Sequence, residues 1–291
     1  MVKRRPRTKG AGRMTDQHIE DWNGEVGERW LKYLVPFESM ISPINASLMK
    51  AAAFKPGEQV VEVGSGGGKN VIEIAKAVAP SGRVLGVDVA EILIAHSKKR
   101  AAEAGVDNVE LKCADAQTAS LDAPRDRAFS SFGVMFFEDP DKAFANIRSW
   151  VKPGGDFTFS CWGPPDHNPW IGMVGAIAGK YVDMPERDPD GPGPFRMADP
   201  EATKALLERA GWKDVECNLW RGEQLLGGEG ATPESAADFV MNALAIGEPL
   251  DEAGPGVKDK ARGEIVEALK PYYKDGSVRL DAAAWIVTAV A

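Results

Sequence analysis

The stretch QVVEVGSGGGKNVIEIA, residues 59–75, decides the fold class. A β-branched run at 59–63 leads directly into glycines, and Val71–Ala79 then carries apolar side chains at helical spacing. Glycine lets the backbone approach a ligand closely because it has no Cβ. In open α/β sheets, ligands bind at the carboxyl ends of the strands. The stretch therefore predicts a buried strand, a ligand-binding turn and a helix.

The glycine turn departs from the two common phosphate-binding motifs. A Walker A loop needs GxxxxGK followed by Ser or Thr, but Val63 stands at the first glycine position and Asn70 follows Lys69. A dinucleotide loop needs GxGxxG, but Gly64 and Gly66 are followed by Lys69 at the third position. These departures exclude a nucleoside triphosphate held in this way, and they disfavour NAD.

The alternation of strand and helix patterns continues along the chain and predicts an α/β fold with a seven-stranded doubly wound sheet. Between the early strands, apolar spacing predicts helices at Glu91–Ala104 and Asp141–Val151. The predicted strands lie at 59–63, 83–88, 108–112, 127–134, 156–162, 213–220 and 282–290.

The chain divides into three regions by composition. Residues 1–15 form a basic tail that we expect to be disordered, and 16–55 are predicted to form a helical cap. The main domain spans 56–291. It contains two interruptions of the sheet pattern, at about 163–200 and 228–280, which we interpret as helical lid insertions because long insertions at a sheet edge usually carry function.

Composition and charge exclude several function classes. The 291 residues carry 43 acidic against 35 basic side chains, and the net charge of −8 argues against nucleic acid as a partner. No apolar run reaches the ~20 residues of a membrane span. The three cysteines show no CxxC, and the three histidines lack metal-ligand spacing. We therefore predict buried, reduced thiols, no bound metal, no membrane contact and a cytoplasmic protein.

Two acidic residues follow the second and third predicted strands. Asp88 ends RVLGVD and is placed to accept hydrogen bonds from two ribose hydroxyls. Asp115 follows the third strand within CADA, where it could accept an exocyclic amine while the backbone of Ala116 meets an adenine edge. A glycine turn and two acids at three successive strand ends together indicate an adenosine without phosphates.

The segments VVEVGSGGG, GVD, ADAQ and FGVMFFEDPDKAFANIRSWVKPGG resemble class I S-adenosylmethionine-dependent methyltransferases, close to the branch of the ubiquinone/menaquinone C-methyltransferases. The resemblance runs from about Trp22 to the C-terminus. It implies S-adenosylmethionine as cofactor, an antiparallel last strand beside the sixth, and methyl transfer to a small apolar or aromatic acceptor at oxygen, nitrogen or carbon. Close relatives carry arginine in SRFG where this chain has Ser131.

The resemblance also carries over roles for individual residues. It places Gly64, Ser65 and Gly66 at the methionine part of the cofactor, Asp88 at the ribose, and Asp115 with Ala116 at the adenine. Trp22 and Trp30 either close over the cofactor or anchor the helical cap. The complete set of cofactor-site candidates is Glu62, Gly64, Ser65, Gly66, Asp88, Val89, Asp115, Ala116, Ser131, Trp22 and Trp30.

Candidates for the acceptor site are aromatic. Phe136, Phe137, Trp162 and Trp170 could form an apolar substrate pocket, and His167 in PPDHNPW is the candidate catalytic base. Two other functions stay open at this stage, a nicotinamide-dependent oxidoreductase and a cofactor-binding protein without turnover. We expect a small-molecule acceptor as partner, and a homodimer is one assembly state compatible with the chain.

Overall fold

The fold is described from a computed structural model, which covers residue 19 and residues 21–183, 191–244 and 246–291. The predicted basic tail, 1–15, lies outside the described residues, as does part of the insertion predicted at 163–200.

Seven strands form one continuous twisted sheet in the order β3-β2-β1-β4-β5-β8-β6. β1 to β5 pair in parallel, whereas β8 runs antiparallel between β5 and β6. The short β7 pairs with the start of β8. The expected doubly wound sheet with an antiparallel last strand is thus confirmed. The strands are β1 (Gln59–Val63), β2 (Arg83–Asp88), β3 (Val109–Cys113), β4 (Arg125–Ser131), β5 (Val151–Trp162), β6 (Lys213–Leu225), β7 (Tyr273–Lys274) and β8 (Ser277–Val290).

Four strand boundaries differ from the prediction by three residues or more. β4 ends at Ser131 because Phe132 adopts a positive φ of 56° and a 3-10 turn, Val134–Phe136, follows. β5 begins at Val151, since a register shift between Arg125 and Arg127 takes the proline-glycine turn into the strand. β6 and β8 pair further than predicted, so residues 277–280 belong to β8 rather than to the helical insertion.

Helices pack against the sheet, and additional helices occur in two regions of the chain, before β1 and between β6 and β7. α1 to α3 form the N-terminal cap, and α9 to α11 lie between β6 and β7, where the second insertion was predicted. The described helices are α1 (Glu25–Lys32), α2 (Leu34–Met40), α3 (Ser42–Ala52), α4 (Lys69–Val78), α5 (Glu91–Glu103), α6 (Pro140–Ser149), α7 (Pro169–Ala178), α8 (Pro200–Arg209), α9 (Pro233–Ala243), α10 (Gly247–Glu252) and α11 (Val257–Leu269).

The parallel strands bring their carboxyl ends to one edge of the sheet. β1 and β2 are buried along almost their whole length, as expected for strands covered on both faces. The N-terminal cap is fastened beside this edge by an ion pair in which Arg100 of α5 donates to both oxygens of Glu38 on α2, at 2.6 and 2.9 Å. The cap is therefore held next to the turns that follow β1 and β2.

Two further features bear on the sequence predictions. Cys161 is buried and Cys217 is half-buried, but Cys113, predicted to be buried, is exposed at the end of β3. In the described ranges, no helix has the length and apolar character needed to cross a membrane.

Candidate functional site

A cavity opens at the carboxyl ends of β1, β2, β3 and β4, beneath the N-terminal cap. Its empty volume is about 770 Å³, including open solvent at its mouth. The lining residues are Ile19, Trp22, Trp30, Val63, Gly64, Gly66, Val87, Asp88, Val89, Leu93, Ala114, Asp115, Ala116, Gln117, Ser131, Phe132, Gly133, Phe136 and Phe137.

The glycine turn after β1 forms the floor of this cavity. The backbone N–H groups of Gly64 and Ser65 both donate to the carbonyl of Val87, at 2.9 and 3.0 Å, which ties the turn to β2. Gly66 has a φ of 51° and lines the cavity, and a Cβ built on it meets nothing within 4 Å. The backbone at Gly66 therefore leaves space that a side chain would fill and a ligand can occupy.

Asp88 is the last residue of β2 and lines the cavity, and it is only 9% exposed. One oxygen accepts from the backbone N–H of Gly66 at 2.8 Å and the other from that of Ala90 at 2.9 Å. Burial raises the pKa of Asp88, while these backbone hydrogen bonds lower it. Each carboxylate oxygen has a second lone pair, so this carboxylate suits a pair of neighbouring hydroxyls.

Asp115 follows β3 and is oriented by Gln117. The amide nitrogen of Gln117 lies 3.2 Å from both carboxylate oxygens of Asp115, and its own backbone N–H donates to one of them at 2.8 Å. The amide oxygen of Gln117 accepts from the backbone N–H of Asp139 at 2.8 Å. Asn146 donates to the carbonyl of Ala116 at 2.9 Å. The Asp115 turn is thus fixed by side chains from both its own loop and α6.

Aromatic rings form the opposite wall and the roof. Phe132 lies at the cavity edge with its backbone in the left-handed conformation, and its ring centroid is 4.6 Å from that of Trp162. Trp22 lies edge-on to Phe136, with ring centroids 5.6 Å apart, and 6.0 Å from Trp30. A non-glycine residue in the left-handed region is uncommon, and such strain tends to occur at functional sites.

The structure brings together most of the residues predicted for the site. Those in the cavity wall are Gly64, Gly66, Asp88, Val89, Asp115, Ala116, Ser131, Trp22, Trp30, Phe136 and Phe137. Those that lie elsewhere are Glu62, Ser65, Trp162, Trp170 and His167.

Glu62 and Ser65 do not line the cavity. Glu62 is only 1% exposed, and burial raises its pKa well above the usual range, although a hydrogen bond with Asn70 opposes that shift. The Ser65 hydroxyl is buried and has no hydrogen-bond partner among the described residues. Side chains alternate across a strand, so Glu62 faces the covering helices while the neighbouring Val63 lines the cavity.

Trp162 and Trp170 belong to the core rather than to a substrate pocket. Trp162 is the last residue of β5, an interior strand of the sheet, and its ring contacts those of Phe132 and Trp170, with centroids at 4.6 and 5.6 Å. Trp170, on α7, is 2% exposed. These two rings therefore support the cavity wall from behind.

His167 lies at the surface, in the 3-10 turn Pro165–His167, and its Nδ1 is 3.4 Å from a guanidinium nitrogen of Arg221 on β6. The turn ends at α7, whereas the cavity lies at the ends of β1 to β4. The predicted role of His167 as catalytic base is therefore not supported by its position.

The sequence reasoning missed several lining residues. Gln117 had a signal, because it stands in the quoted ADAQ, but its contacts to Asp115 and Asp139 depend on α6 folding against β3. No sequence signal marked Phe132 or Leu93 as cavity residues, because an isolated apolar residue after a strand or in a helix is usually part of the hydrophobic core. The remaining missed positions are Ile19, Val63, Val87, Ala114 and Gly133.

The charge of the cavity limits what it can bind. Asp88 and Asp115 are the acidic side chains in its described wall, and that wall contains no Lys, Arg or His. A phosphate would meet two carboxylates without a compensating cation, which is unfavourable. The arrangement suits an adenosine joined to a neutral or cationic group next to aromatic rings, which can stabilise a cation.

Comparison with known proteins agrees with this chemistry. Residues 60–155 match the family model described as a methyltransferase domain. The ubiquinone/menaquinone biosynthesis C-methyltransferase UbiE of Ralstonia nicotianae is 29% identical over 180 residues, covering 57% of this chain and 71% of that protein. Aklanonic acid methyltransferase DauC of Streptomyces sp. strain C5 is 30% identical over 120 residues, covering 41% of this chain.

The curated matches are partial in length. The matched part spans 54% of the aklanonic acid methyltransferase and 33% of an uncharacterised 37.1 kDa transposon protein of Streptomyces fradiae, less than two thirds of either. Among solved structures, the YcgJ protein of Bacillus subtilis superposes with a TM-score of 0.55 at 16% identity, covering 84% of this chain and 96% of that one. The [4+2]-cyclase SpnF gives 0.51 at 19% identity, covering 85% and 80%.

The structural matches show the fold, and the sequence matches add a methyltransferase domain within it. The family model falls on β1 to the start of β5, the part of the chain that forms the floor and one wall of the cavity. Residues 60–155 therefore form a methyltransferase domain, and the chain is similar to the ubiquinone/menaquinone C-methyltransferases.

Proposed function

We propose that this protein transfers a methyl group from S-adenosylmethionine to a small apolar or aromatic acceptor. The observation that carries the proposal is the cavity itself, where an open glycine turn and two carboxylates at successive strand ends face a wall of aromatic rings. Its polar half fits an adenosine and its aromatic half fits an apolar acceptor.

The names of two relatives support a small acceptor. Aklanonic acid methyltransferase and the nocamycin O-methyltransferase of Saccharothrix syringae are named for small molecules, at 30% and 27% identity over 120 and 114 residues. These matches cover 41% and 39% of this chain. They support the class of acceptor, and the atom that receives the methyl group stays open between oxygen, nitrogen and carbon.

We assign the cofactor-binding roles to residues of the cavity wall. Gly64 and Gly66 would lie along the methionine part, Asp88 would accept hydrogen bonds from the ribose hydroxyls, and Asp115 with the Ala116 backbone would bind the adenine. When bound, the cofactor supplies an electrophilic methyl group on a sulfonium. Ser131 lies in the wall near Gly133, and its hydroxyl has no hydrogen-bond partner among the described residues.

The acceptor would lie against Phe132, Phe136 and Phe137, under Trp22 and Trp30. These rings exclude water from the reacting atoms and align the acceptor with the methyl group. Alignment of two reactants can lower a barrier by about 7–11 kcal/mol. The proposal therefore rests on positioning, and it assigns no general base.

Calorimetric titration tests the proposal first. We expect S-adenosylmethionine and S-adenosylhomocysteine to bind with micromolar affinity, NADH not to bind, and Asp88→Ala to abolish binding while the protein remains folded by circular dichroism. Well-folded wild-type protein that binds neither sulfur compound would refute the cofactor assignment. Binding of NADH instead would favour the oxidoreductase alternative.

Turnover needs a separate test, because the fold also occurs in the [4+2]-cyclase SpnF. Incubation with methyl-labelled S-adenosylmethionine and panels of phenols, quinones and amines should release S-adenosylhomocysteine with one class of acceptor. Cofactor binding without transfer to any panel would favour the binding protein without turnover.

We also propose that the protein works in the cytoplasm, and a homodimer is one assembly state to be tested. The three free thiols favour a reducing compartment. Fractionation of the native host and light scattering of the purified protein test these two points.

A further inference from the structure

The side chain of Asn23 joins the N-terminal cap to the loop after β2 through two hydrogen bonds. Its amide nitrogen donates to the carbonyl of Val89 at 2.9 Å, and its amide oxygen accepts from the backbone N–H of Glu91 at 2.8 Å. The same nitrogen lies 3.0 Å from the carbonyl of Ile19. Asn23 therefore holds its own turn and the β2–α5 loop together.

The hydrogen bond from the Glu91 N–H to Asn23 caps the N-terminus of α5, which has no side-chain cap of its own. The residue preceding α5 is Ala90, which has no side-chain group to accept from the first N–H groups of the helix. Asparagine is among the preferred residues for capping a helix N-terminus. Here the capping oxygen comes from another element, far away in sequence.

The loop that Asn23 holds is also the loop that carries the ribose-binding candidate. Asp88 precedes Val89 directly, and its carboxylate accepts from the backbone N–H of Ala90 at 2.9 Å. Trp22, which directly precedes Asn23 in the sequence, lines the cavity together with Ile19. Binding of a ligand at Asp88 and closure of the N-terminal cap over that ligand therefore depend on the same short loop, residues 88–91.

We infer that Asn23 is a positioning residue that latches a lid, defined here as Ile19 with residues 21–32, over the bound cofactor and slows its release. The inference rests on the proposed function. A ligand that orders the Asp88 loop presents Val89 and Glu91 in the geometry that Asn23 needs. By linkage, closure of the lid then strengthens binding at Asp88 by the same factor.

The test compares the dissociation rate of S-adenosylhomocysteine from full-length wild type and Asn23→Ala, measured by chase with excess unlabelled compound. Two hydrogen bonds of ordinary net strength predict dissociation about 5- to 30-fold faster. The association rate should change little, because binding differences between related complexes lie mostly in dissociation. In turnover, KM for S-adenosylmethionine should rise while kcat is unchanged.

Three further variants separate a latch from a merely structural cap. Asn218→Ala makes the same change on the exposed face of β6 and should leave the rate as in wild type. Adding Ala90→Ser to Asn23→Ala gives α5 a cap of its own, and should restore thermal stability without slowing dissociation. Asn23→Asp keeps an oxygen for Glu91 but has no donor for Val89, and should give an intermediate rate.

The outcomes distinguish the inference from the proposed function. An unchanged dissociation rate in Asn23→Ala, or its full recovery with Ala90→Ser, would overturn the latch while leaving the methyltransferase assignment intact. Wild-type protein that binds no S-adenosylhomocysteine would instead overturn the proposed function, and the latch with it.

Discussion

Replacing Gln117 with methionine should weaken recognition of adenine while keeping the shape of the side chain. Gln117 is 5% exposed, and its amide spans the distance between Asp115 and Asp139, the residue that caps α6. Methionine has a similar length and no amide. The variant therefore removes the side-chain restraint on Asp115 and leaves only the backbone N–H bond at 2.8 Å.

The magnitude follows from the bonds that are lost. A hydrogen bond to a charged group contributes about 1.5–3 kcal/mol, and a neutral one about 1 kcal/mol. Only part of this appears in ligand binding, since Asp115 is restrained by its backbone contact as well. We expect affinity for S-adenosylhomocysteine to fall about 10-fold, or about 1.4 kcal/mol.

The assay compares two ligands by calorimetry. S-inosylhomocysteine carries a carbonyl where adenine has its exocyclic amine, so it cannot donate to Asp115. Its weaker binding should change by less than about threefold in Gln117→Met, because the lost restraint acts through the amine. Gln59→Met makes the same change at the amino end of β1 and should affect neither ligand. An equal loss for both ligands would refute the argument that Gln117 acts through Asp115.

Other predictions separate binding from folding. Gly66→Ala should weaken cofactor binding and cost only about 1 kcal/mol of stability, since its Cβ enters open space at a φ of 51°. Gly68→Ala should cost about 2–3 kcal/mol in urea denaturation, because its Cβ would lie 2.1 Å from a serine hydroxyl. Burial raises the pKa of Glu62 above its value in the unfolded chain. The free energy of unfolding therefore falls as the pH rises from the unfolded pKa through the folded one, because the buried side chain resists ionisation. Glu62→Gln should therefore leave stability unchanged near pH 4 and increase it at pH 8, and an increase independent of pH would contradict this. His167→Ala should leave kcat unchanged, and a bell-shaped pH profile that vanishes in this variant would restore the residue as a base.

The tertiary structure decided which of the aromatic candidates face the cavity. Phe136 lines it and Trp162 does not, although both lie at or just beyond the end of a predicted strand. The direction of each ring depends on strand alternation, on the turn that begins at Phe132, and on packing by α7. Sequence spacing contains none of these three pieces of information.

The sequence by itself determined the sheet and the polar half of the site. Each parallel strand ends at the same edge, so Gly66, Asp88 and Asp115 had to converge once three successive strands were recognised. Those assignments depend on local patterns of five to ten residues. The lid contacts of Asn23, the restraint by Gln117 and the pairing of β8 with β5 join segments that are distant along the chain. Only the folded structure decides them, because such pairings depend on how whole elements pack and not on the residues nearby.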